Sequence, residues 1–385
     1  MKRDVAIIGG GLTGCALAYF LAREGARVTV FEQYDINTQA SGANAGSLHA
    51  QIIDASLFED DGVDISTAVP STRILIEAAK FWAALDAEFH ERLEIHIKGG
   101  LVVADTDRQV ELLKRKIDYE RSQGLVVDFV DRDRLRVLAP YLTDQAKGGA
   151  LCPLEGSANS LLSASLFSEK AKALGAEIHL FEPVQAIDRD PAGYRIVTDK
   201  RTVVSDIVVN CTGAGANRIN GMLGFELPIW GIPYQATVTE PTEHFLDHIL
   251  FYGGGGLTLK QTVRGAVIIG GGWEAEPLGA QNWSRTRIES LCGNMETCLR
   301  IVPRVGELRA VRSWTGYVNI TADMQPIIGE VPGEPGFYVA NFPYMGFTGG
   351  PFTGWAASQQ VLGKPMNLDL GALSPARFAN QGVGR

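Results

Sequence analysis

The strongest constraint on this chain is its start, where a short apolar run, Val5 to Gly9 (VAIIG), passes directly into the turn GGGLTG, Gly9 to Gly14. Leu17, Ala18 and Leu21 then recur at helical spacing, and a second apolar run, Val28 to Phe31, ends at Glu32. The pattern predicts a buried strand, a tight turn, a helix and a second strand. Gly9, Gly11 and Gly14 occupy the three positions of a G-x-G-x-x-G turn. The first permits the turn, the second lets backbone approach a pyrophosphate, and the third lets the helix pack on the strand. Amides at the helix start, those of Leu12 and Thr13 among them, face an anion there. Glu32, followed by Gln33, stands where a carboxylate accepts ribose hydroxyls and repels a 2′-phosphate. A glycine turn standing alone could be purely structural. Agreement among strand, turn, helix, strand and terminal acid selects a dinucleotide site, with NAD and FAD both open at this point.

The chain of 385 residues, 45% hydrophobic, can bury a large core and has the length of two or three domains. Its net charge of -9 argues against a nucleic-acid surface, which needs clustered Lys and Arg. An anionic substrate then requires locally placed positive charge. Glycines interrupt the apolar run after the basic start MKRDV, so a secretory leader is not expected. No stretch approaches the roughly 18 to 20 apolar residues of a membrane helix. The five cysteines, Cys15, Cys152, Cys211, Cys292 and Cys298, are scattered and form no C-x-x-C pair. They read as reduced thiols in the cytoplasm, and no residues of this chain are expected to bind a metal or an iron–sulfur cluster.

After Glu32 comes SGANAGSLHAQ, Ser41 to Gln51. Its small residues let a flat ligand approach the backbone, and Ser41, Asn44 and the local amides can hydrogen-bond phosphate or flavin oxygens. The competing reading is an ordinary surface loop. From Ser71 to Gly124 the spacing is mostly helical, with Trp82 assigned to core packing and the charged stretch VELLKRKIDYERSQ read as a solvated face. Between the helices, LEIHIKGGLVVAD predicts a hairpin turning at Gly99 and Gly100, with His96 a solvated strand residue. Ser160 to Leu174 reads as helix and AEIHLFEPVQAI as a strand. VSDIVVN is a buried strand entering a second glycine turn at Thr212, Gly213 and Ala214. IPYQATVTEP, HILFYGGGGLTLKQ and GAVIIGGGW follow as successive strands.

GGGLTG with Glu32, SGANAGSLHAQ, VVNCTGAGAN, VIIGGGWE and QPIIGEVPGEPGFYVAN together resemble the FAD-dependent D-amino acid oxidase superfamily, which includes glycine and sarcosine oxidases, over nearly the whole chain. SGANAGSLHAQ, LTLKQ, IIGGGW and NFPYMGFTGGP look most like the B subunits of bacterial opine oxidases or dehydrogenases. Hydrogen cyanide synthase and D-hydroxyproline dehydrogenase subunits are near neighbours. The resemblance implies an α/β fold: a Rossmann-like FAD-binding domain from 1–85, 146–221 and 318–385, and a mixed-sheet (α+β) substrate domain from 86–145 and 222–317.

The resemblance also implies where FAD contacts fall. They are Gly9, Gly11, Leu12, Thr13, Gly14, Glu32 and Gln33 at the adenosine end; Ser41, Asn44, Ala45, Gly46, Ser47 and Leu48 in the small-residue loop; Val184 at the adenine; Thr212, Gly213 and Ala214 near the pyrophosphate; and Gly346, Phe347 and Thr348 at the flavin edge, where a helix start favours a reduced, anionic flavin. The implied reaction is oxidation of a secondary amine carrying carboxylates to an imine, which water hydrolyses to an amino acid and a 2-oxo acid. Glycine oxidases place an Arg-Pro pair after the substrate sheet to grip the carboxylate, but here WTGYVNIT puts Val318 and Asn319 in that place. Other groups must hold the carboxylates, with Lys260, Tyr252, Tyr317 and Arg312 as candidates. Lys260 could equally be a solvated strand end. His49 is the nearest titratable group to the flavin loop and could handle protons or simply order the loop. Related complexes pair such a subunit with chains bearing FMN or an iron–sulfur cluster. The alternatives are a sarcosine- or glycine-oxidase-like enzyme using oxygen, a D-hydroxyproline dehydrogenase-like enzyme, and a non-catalytic FAD-binding subunit.

Overall fold

Asp4–Ile8 (β1) and Arg27–Phe31 (β2) are rich in Val and Ile, and every β1 residue after Asp4 is buried, as expected of a parallel strand covered on both faces. Leu12–Arg23 (α1) joins them and buries ten of its residues, so the sequence spacing understates how enclosed it is. The computed structural model describes residues 3–53, 58, 65, 72–279 and 283–379. Ser71 and the remaining parts of the expected domain segments lie outside the described residues.

The chain divides into two compact units. The first comprises Met1–Ala43, Asn159–Ile232 and Tyr317–Arg385, and the second Asn44–Ala158 and Pro233–Gly316. The small-residue loop contributes a short helix, Ala40–Ala43 (α2), to the first unit and a short strand, Ser47–Leu48 (β3), to the second. The second unit continues through Thr72–Glu88 (α3), Gly100–Ala104 (β4), Asp107–Ser122 (α4), Asp128–Asp131 (β5), Arg132–Leu138 (α5), Gly148–Cys152 (β6) and Gly156–Ser157 (β7). The first unit resumes with Ser160–Ala173 (α6), Glu177–His179 (β8), the antiparallel strands Val184–Asp190 (β9), Gly193–Thr198 (β10) and Thr202–Ser205 (β11), then Ile207–Asn210 (β12) and Ala216–Asn220 (α7). Ile229–Pro241 (β13) leads to Ile249–Tyr252 (β14), Leu257–Gln261 (β15), Ala266–Gly270 (β16), Glu276–Pro277 (β17), Ser284–Arg285 (β18) and Ile288–Ile301 (α8). Ala310–Thr321 (β19), Ile327–Glu330 (β20), Phe337–Asn341 (β21) and Gly346–Leu362 (α9) complete the framework.

In the first unit six strands run in the order β20-β21-β12-β1-β2-β8, all neighbours parallel except β20 against β21. The chain steps from β1 to β2 on one side, while β12 lies on β1's other side. This is the topological switch at which open α/β sheets bind ligands, beyond their strand carboxyl ends. Ala6, Ile8, Phe31 and Val208 pack with Val184, Ile187, Tyr194 and Ile196 of the three-stranded meander.

The second unit carries an eight-stranded sheet in the order β19-β13-β16-β15-β14-β4-β6-β5. Leu101, Val103, Leu250, Leu257, Leu259, Val267 and Ile269 face a core closed by Leu135 of α5 and Cys298 and Ile301 of α8.

Three expectations change. The hairpin over Leu93–Asp105 does not form: β4 is one strand, parallel to β14 and antiparallel to β6, because Gly99 at φ 102° ends an irregular approach whose His96 is exposed and bridges Ser157. AEIHLFEPVQAI is two strands, β8 and β9, parted at Phe181, where φ is 51°. The domain boundaries also move. Residues 44–85 and 146–158 belong to the second unit, where β3 pairs with β7 and β6 with β4 and β5. Residues 222–232 belong to the first, where Ala322 N donates to Pro228 O and Asn217 Nδ2 to Leu227 O.

Candidate active site

At the carboxyl ends of β1, β2, β12 and β21 the first unit makes its glycine turns. Gly9 takes φ 108°, and a Cβ there would stand 2.8 Å from Cys211 O; a Cβ on Gly14 would stand 2.0 Å from Gly9 O. These two glycines close the helix onto the turn. Gly11 differs, for a Cβ there would meet only Ser41 Oγ, at 3.1 Å. Its missing side chain leaves space that the protein does not fill, as a turn cradling a pyrophosphate requires. Leu12 N donates to Ser41 Oγ at 2.9 Å, and α1 starts without a side-chain cap.

Glu32 follows β2 and is buried, its Oε2 accepting Gly10 N at 2.7 Å and its Oε1 Tyr34 N at 2.8 Å. Burial raises its pKa, against the pull of the Gly10, Tyr34 and Gln33 amides and the Arg218 guanidinium. With about four lone-pair sites, the carboxylate keeps acceptor capacity for ribose hydroxyls. Arg218 Nη2 donates to Gln33 Oε1 at 3.2 Å, a contact that nothing in the sequence pattern announced.

Beyond β12, both N and Oγ1 of Thr212 donate to Asn210 Oδ1, at 3.1 and 2.6 Å, and Asn210 Nδ2 donates to Ala216 O and Asn220 Oδ1, each at 2.9 Å. Gly213 takes φ 56° with open space where a Cβ would be. Beyond β21, Asn341 Nδ2 donates to Gly213 O at 3.3 Å. Asn319 donates Nδ2 to Phe342 O at 2.7 Å and to Asn341 Oδ1, while its carbonyl accepts Tyr344 N at 2.8 Å. It holds the loop entering α9, whose first residues are Gly346, Phe347 and Thr348 and whose N-cap, Met345, supplies no side-chain cap. A helix start of this kind suits a partly anionic ligand edge. Tyr317 lies against Gly231, whose other neighbour is Ala214. Val184 is 2% exposed, within the core beside the sheet.

The comparisons with known proteins agree with this geometry. The model of the family described as FAD dependent oxidoreductase (DAO) matches residues 4–360. The chain belongs to this family. FAD is accordingly the cofactor of this oxidoreductase, and the fold is of the D-amino acid oxidase type. The chain is 27% identical to glycine oxidase of Geobacillus kaustophilus (strain HTA426), covering 98% of this chain and 97% of that one. It is 25% identical to the B subunit of opine oxidase from Agrobacterium tumefaciens (strain Ach5), covering 98% of each. Among solved structures, L-proline dehydrogenase from P. horikoshii superposes with TM-score 0.87 at 25% identity, covering 100% of this chain and 99% of that one.

Within the second unit, Lys260 lies on β15 opposite Ile268 of β16 and is 7% exposed. The strand-end reading, in which it is solvated, is therefore incorrect. Its Nζ approaches Ala158 O at 3.4 Å, and burial lowers its pKa from 10.5 to about 7, partly opposed by Glu94. His49 is buried too, its pKa lowered to about 4 by burial and by the nearby Lys260. It is a neutral imidazole at neutral pH.

Tyr252 parts company with Lys260. It pairs with Leu257, so it shares the face of Leu257 and Leu259, whereas Lys260, an odd number of residues further along, projects to the opposite face. Its hydroxyl donates to Asp105 Oδ1 at 2.8 Å, and Asp105 Oδ2 accepts Arg300 Nη1 at 2.7 Å. Tyr252 is a core residue with a satisfied hydroxyl, and Arg312 is exposed on β19.

In the loop, Asn44 Oδ1 accepts Gly46 N at 2.7 Å, Gly46 takes φ 82°, and Gly46 O accepts Ala158 N at 2.9 Å. Ala45 lies in this turn, and β3 follows with Ser47 opposite Ser157 and Leu48 opposite Gly156.

Proposed function

We propose that the chain oxidises a secondary amine carrying carboxylates, an opine such as octopine or nopaline, to an imine that water hydrolyses to an amino acid and a 2-oxo acid. The carrying observation is the buried Lys260 beside a neutral His49. Full-length similarity to the opine oxidase B chain supports the same reading. When bound, FAD supplies the two-electron acceptor. Lys260, in its ammonium form, holds a substrate carboxylate; burial strengthens that pairing by excluding water. His49 accepts a hydrogen bond from the amine without adding positive charge next to Lys260, and the reacting C–H bond is fixed in place by these contacts.

In the first unit, FAD is held by the turn at Gly9, Gly11, Leu12, Thr13 and Gly14, by Glu32 and Gln33, by Ser41, by Val184, by Thr212, Gly213 and Ala214, and by Gly346, Phe347 and Thr348. The subunit names of the opine and sarcosine oxidase relatives support a hetero-oligomer. Free cysteines support a reducing cytoplasmic setting, and no described helix is long and apolar enough to cross a membrane. The near-complete overlap with glycine oxidase favours a second reading, a self-sufficient oxidase acting on sarcosine, glycine or a cyclic imino acid such as hydroxyproline.

Anaerobic addition of octopine, nopaline, sarcosine, glycine and hydroxyproline to the purified flavoprotein separates these. Loss of the visible flavin absorbance with an opine alone is the expected result. Bleaching only by sarcosine or glycine, followed by rapid reoxidation in air, would select the second reading. No bleaching by any amine would leave a non-catalytic FAD-binding subunit.

A further inference from the structure

The second unit contains a polar cluster sealed from water that the proposed reaction does not use. Gln51 and Glu120 are fully buried, and Lys116 and Glu155 are each 1% exposed. Lys116 and Glu120 sit one helical turn apart on α4, in the stretch whose charges alone suggest a solvated face; that expectation is incorrect here, because this one side of the helix faces inward. Lys116 Nζ lies 2.8 Å from Glu120 Oε1 and donates to Gln51 Oε1 at 3.1 Å. Gln51 Nε2 donates to Glu155 Oε2 at 2.9 Å and to Gly100 O at 3.2 Å.

The carboxylates turn this cluster toward one short stretch of backbone. Glu155 Oε1 accepts both Ala50 N and Gln51 N at 2.7 Å, and Glu120 Oε1 accepts Ile52 N at 2.7 Å. Three consecutive amides are thus held by two buried carboxylates, and His49 immediately precedes them, its Nδ1 3.9 Å from Glu155 Oε1. The seat for Glu155 is itself tailored, since a Cβ on Gly100 would stand 1.8 Å from Glu155 Oε2. Burying an ammonium and two carboxylates is costly, and replacing such groups with apolar ones is often neutral or stabilising. A loop that needed only to be covered would not require them. What the charges add is direction: ionised acceptors fix amides more tightly than neutral ones, and each carboxylate fixes the ψ and φ that aim the preceding side chain.

We propose that Glu155, supported by Gln51, Lys116 and Glu120, is a positioning residue that sets the orientation of His49 by gripping the backbone of Ala50 to Ile52. This rests on the reading in which His49 and the Asn44 to Leu48 loop border the flavin and the amine. Glu155→Gln keeps shape and volume but sets an NH2 against the Gln51 Nε2 donor. The exchanged pair Glu155→Gln with Gln51→Glu relieves that donor–donor conflict but leaves residue 155 neutral and turns a carboxylate oxygen toward Gly100 O, which Gln51 Nε2 serves in the wild type.

The test measures amide exchange at residues 49–53 and anaerobic flavin reduction in the FAD-loaded wild type, the single variant and the exchanged pair. In Glu155→Gln, exchange at Ala50 and Gln51 should accelerate about ten- to hundredfold, the loss of a charge-assisted hydrogen bond. Reduction should slow about tenfold with KM within about twofold, since the carboxylate grip at Lys260 is untouched. The exchanged pair, still neutral at residue 155, should recover neither in full. Unchanged exchange in the single variant would overturn the anchoring. Faster exchange with unaltered reduction would overturn the positioning role, and full recovery of protection in the exchanged pair would overturn the need for a carboxylate at residue 155. If the wild type is reduced by no amine, the functional reading fails, and the exchange data still decide whether Glu155 holds the loop.

Discussion

Lys260 and Gly11 carry the sharpest consequences at the scale of single residues. A lysine whose pKa falls from 10.5 to about 7 is held charged below about 7 and loses its proton above it. If its ammonium grips the substrate carboxylate, kcat/KM falls as pH rises through that value, by about tenfold per unit well above it. Lys260→Arg, charged throughout, removes this limb, and Lys260→Met raises KM far more than it weakens FAD; pH profiles of the three proteins check both statements. An unchanged profile in Lys260→Met would return Lys260 to a purely structural role. The stability effect has the opposite direction. Between about 7 and 10.5 the unfolded chain binds a proton that the folded one does not, so stability gains from this group as pH rises through that window, while below it the full cost of burying the charge persists. Gly11→Val places two methyl groups where only Ser41 Oγ is near, in the space assigned to the pyrophosphate, so the variant should purify folded but colourless; a yellow protein with full flavin content would refute the assignment.

At the scale of elements, α1 and α9 meet through glycine. A Cβ on Gly354 would stand 2.7 Å from Leu17 N and 2.8 Å from Thr13 O, and one on Gly350 would stand 3.2 Å from Leu12 Cδ2. The spacing of Gly350 and Gly354, one helical turn, makes a smooth groove in which α1 lies close to α9. Gly354→Ala should therefore cost about 1–3 kcal/mol by overpacking. Gly221→Ala, where nothing stands within 4 Å of the added carbon and φ is not left-handed, should stay within about 0.5 kcal/mol of wild type. Denaturant midpoints of the two variants provide the comparison.

For the whole molecule, cofactor and thiols report on integrity. FAD binds the folded state alone, so apoprotein should gain about 2.7 kcal/mol at a free FAD concentration of 100 times Kd, and the melting temperature should rise with added FAD. Thiol accessibility gives an independent check. Cys15, Cys152, Cys211 and Cys298 are buried with pKa values pushed up by burial, Cys15 and Cys298 to about 12, whereas Cys292 is exposed. Iodoacetamide should label one thiol per native chain, at Cys292, and all five after unfolding, as mass spectrometry of the labelled peptides would show.

Much of the cofactor half of this protein is written locally. Strand, glycine turn, helix and terminal acid lie within one short stretch, and their chemistry depends on backbone freedom and spacing along the chain, so Gly9, Gly11, Gly14 and Glu32 are legible without knowing what packs above them. The same holds for the turn at Thr212–Ala214 and the helix start at Gly346–Thr348, each directly following a buried strand. Register, burial and long-range pairing are not written that way. Only the strand register separates Lys260 from Tyr252 onto opposite faces of one sheet, and only the fold makes Asn319 a loop anchor. Lys116 and Glu120 look like solvated charges because an amphipathic pattern reports the average of a helix face, whereas their burial depends on Gln51 and Glu155, which are distant in sequence and are brought to them by the packing of the second unit. The turns at the start of the chain follow from local stereochemistry; the electrostatics of Lys260, His49 and Glu155 follow from what encloses them, because desolvation and partner geometry are properties of the assembled fold.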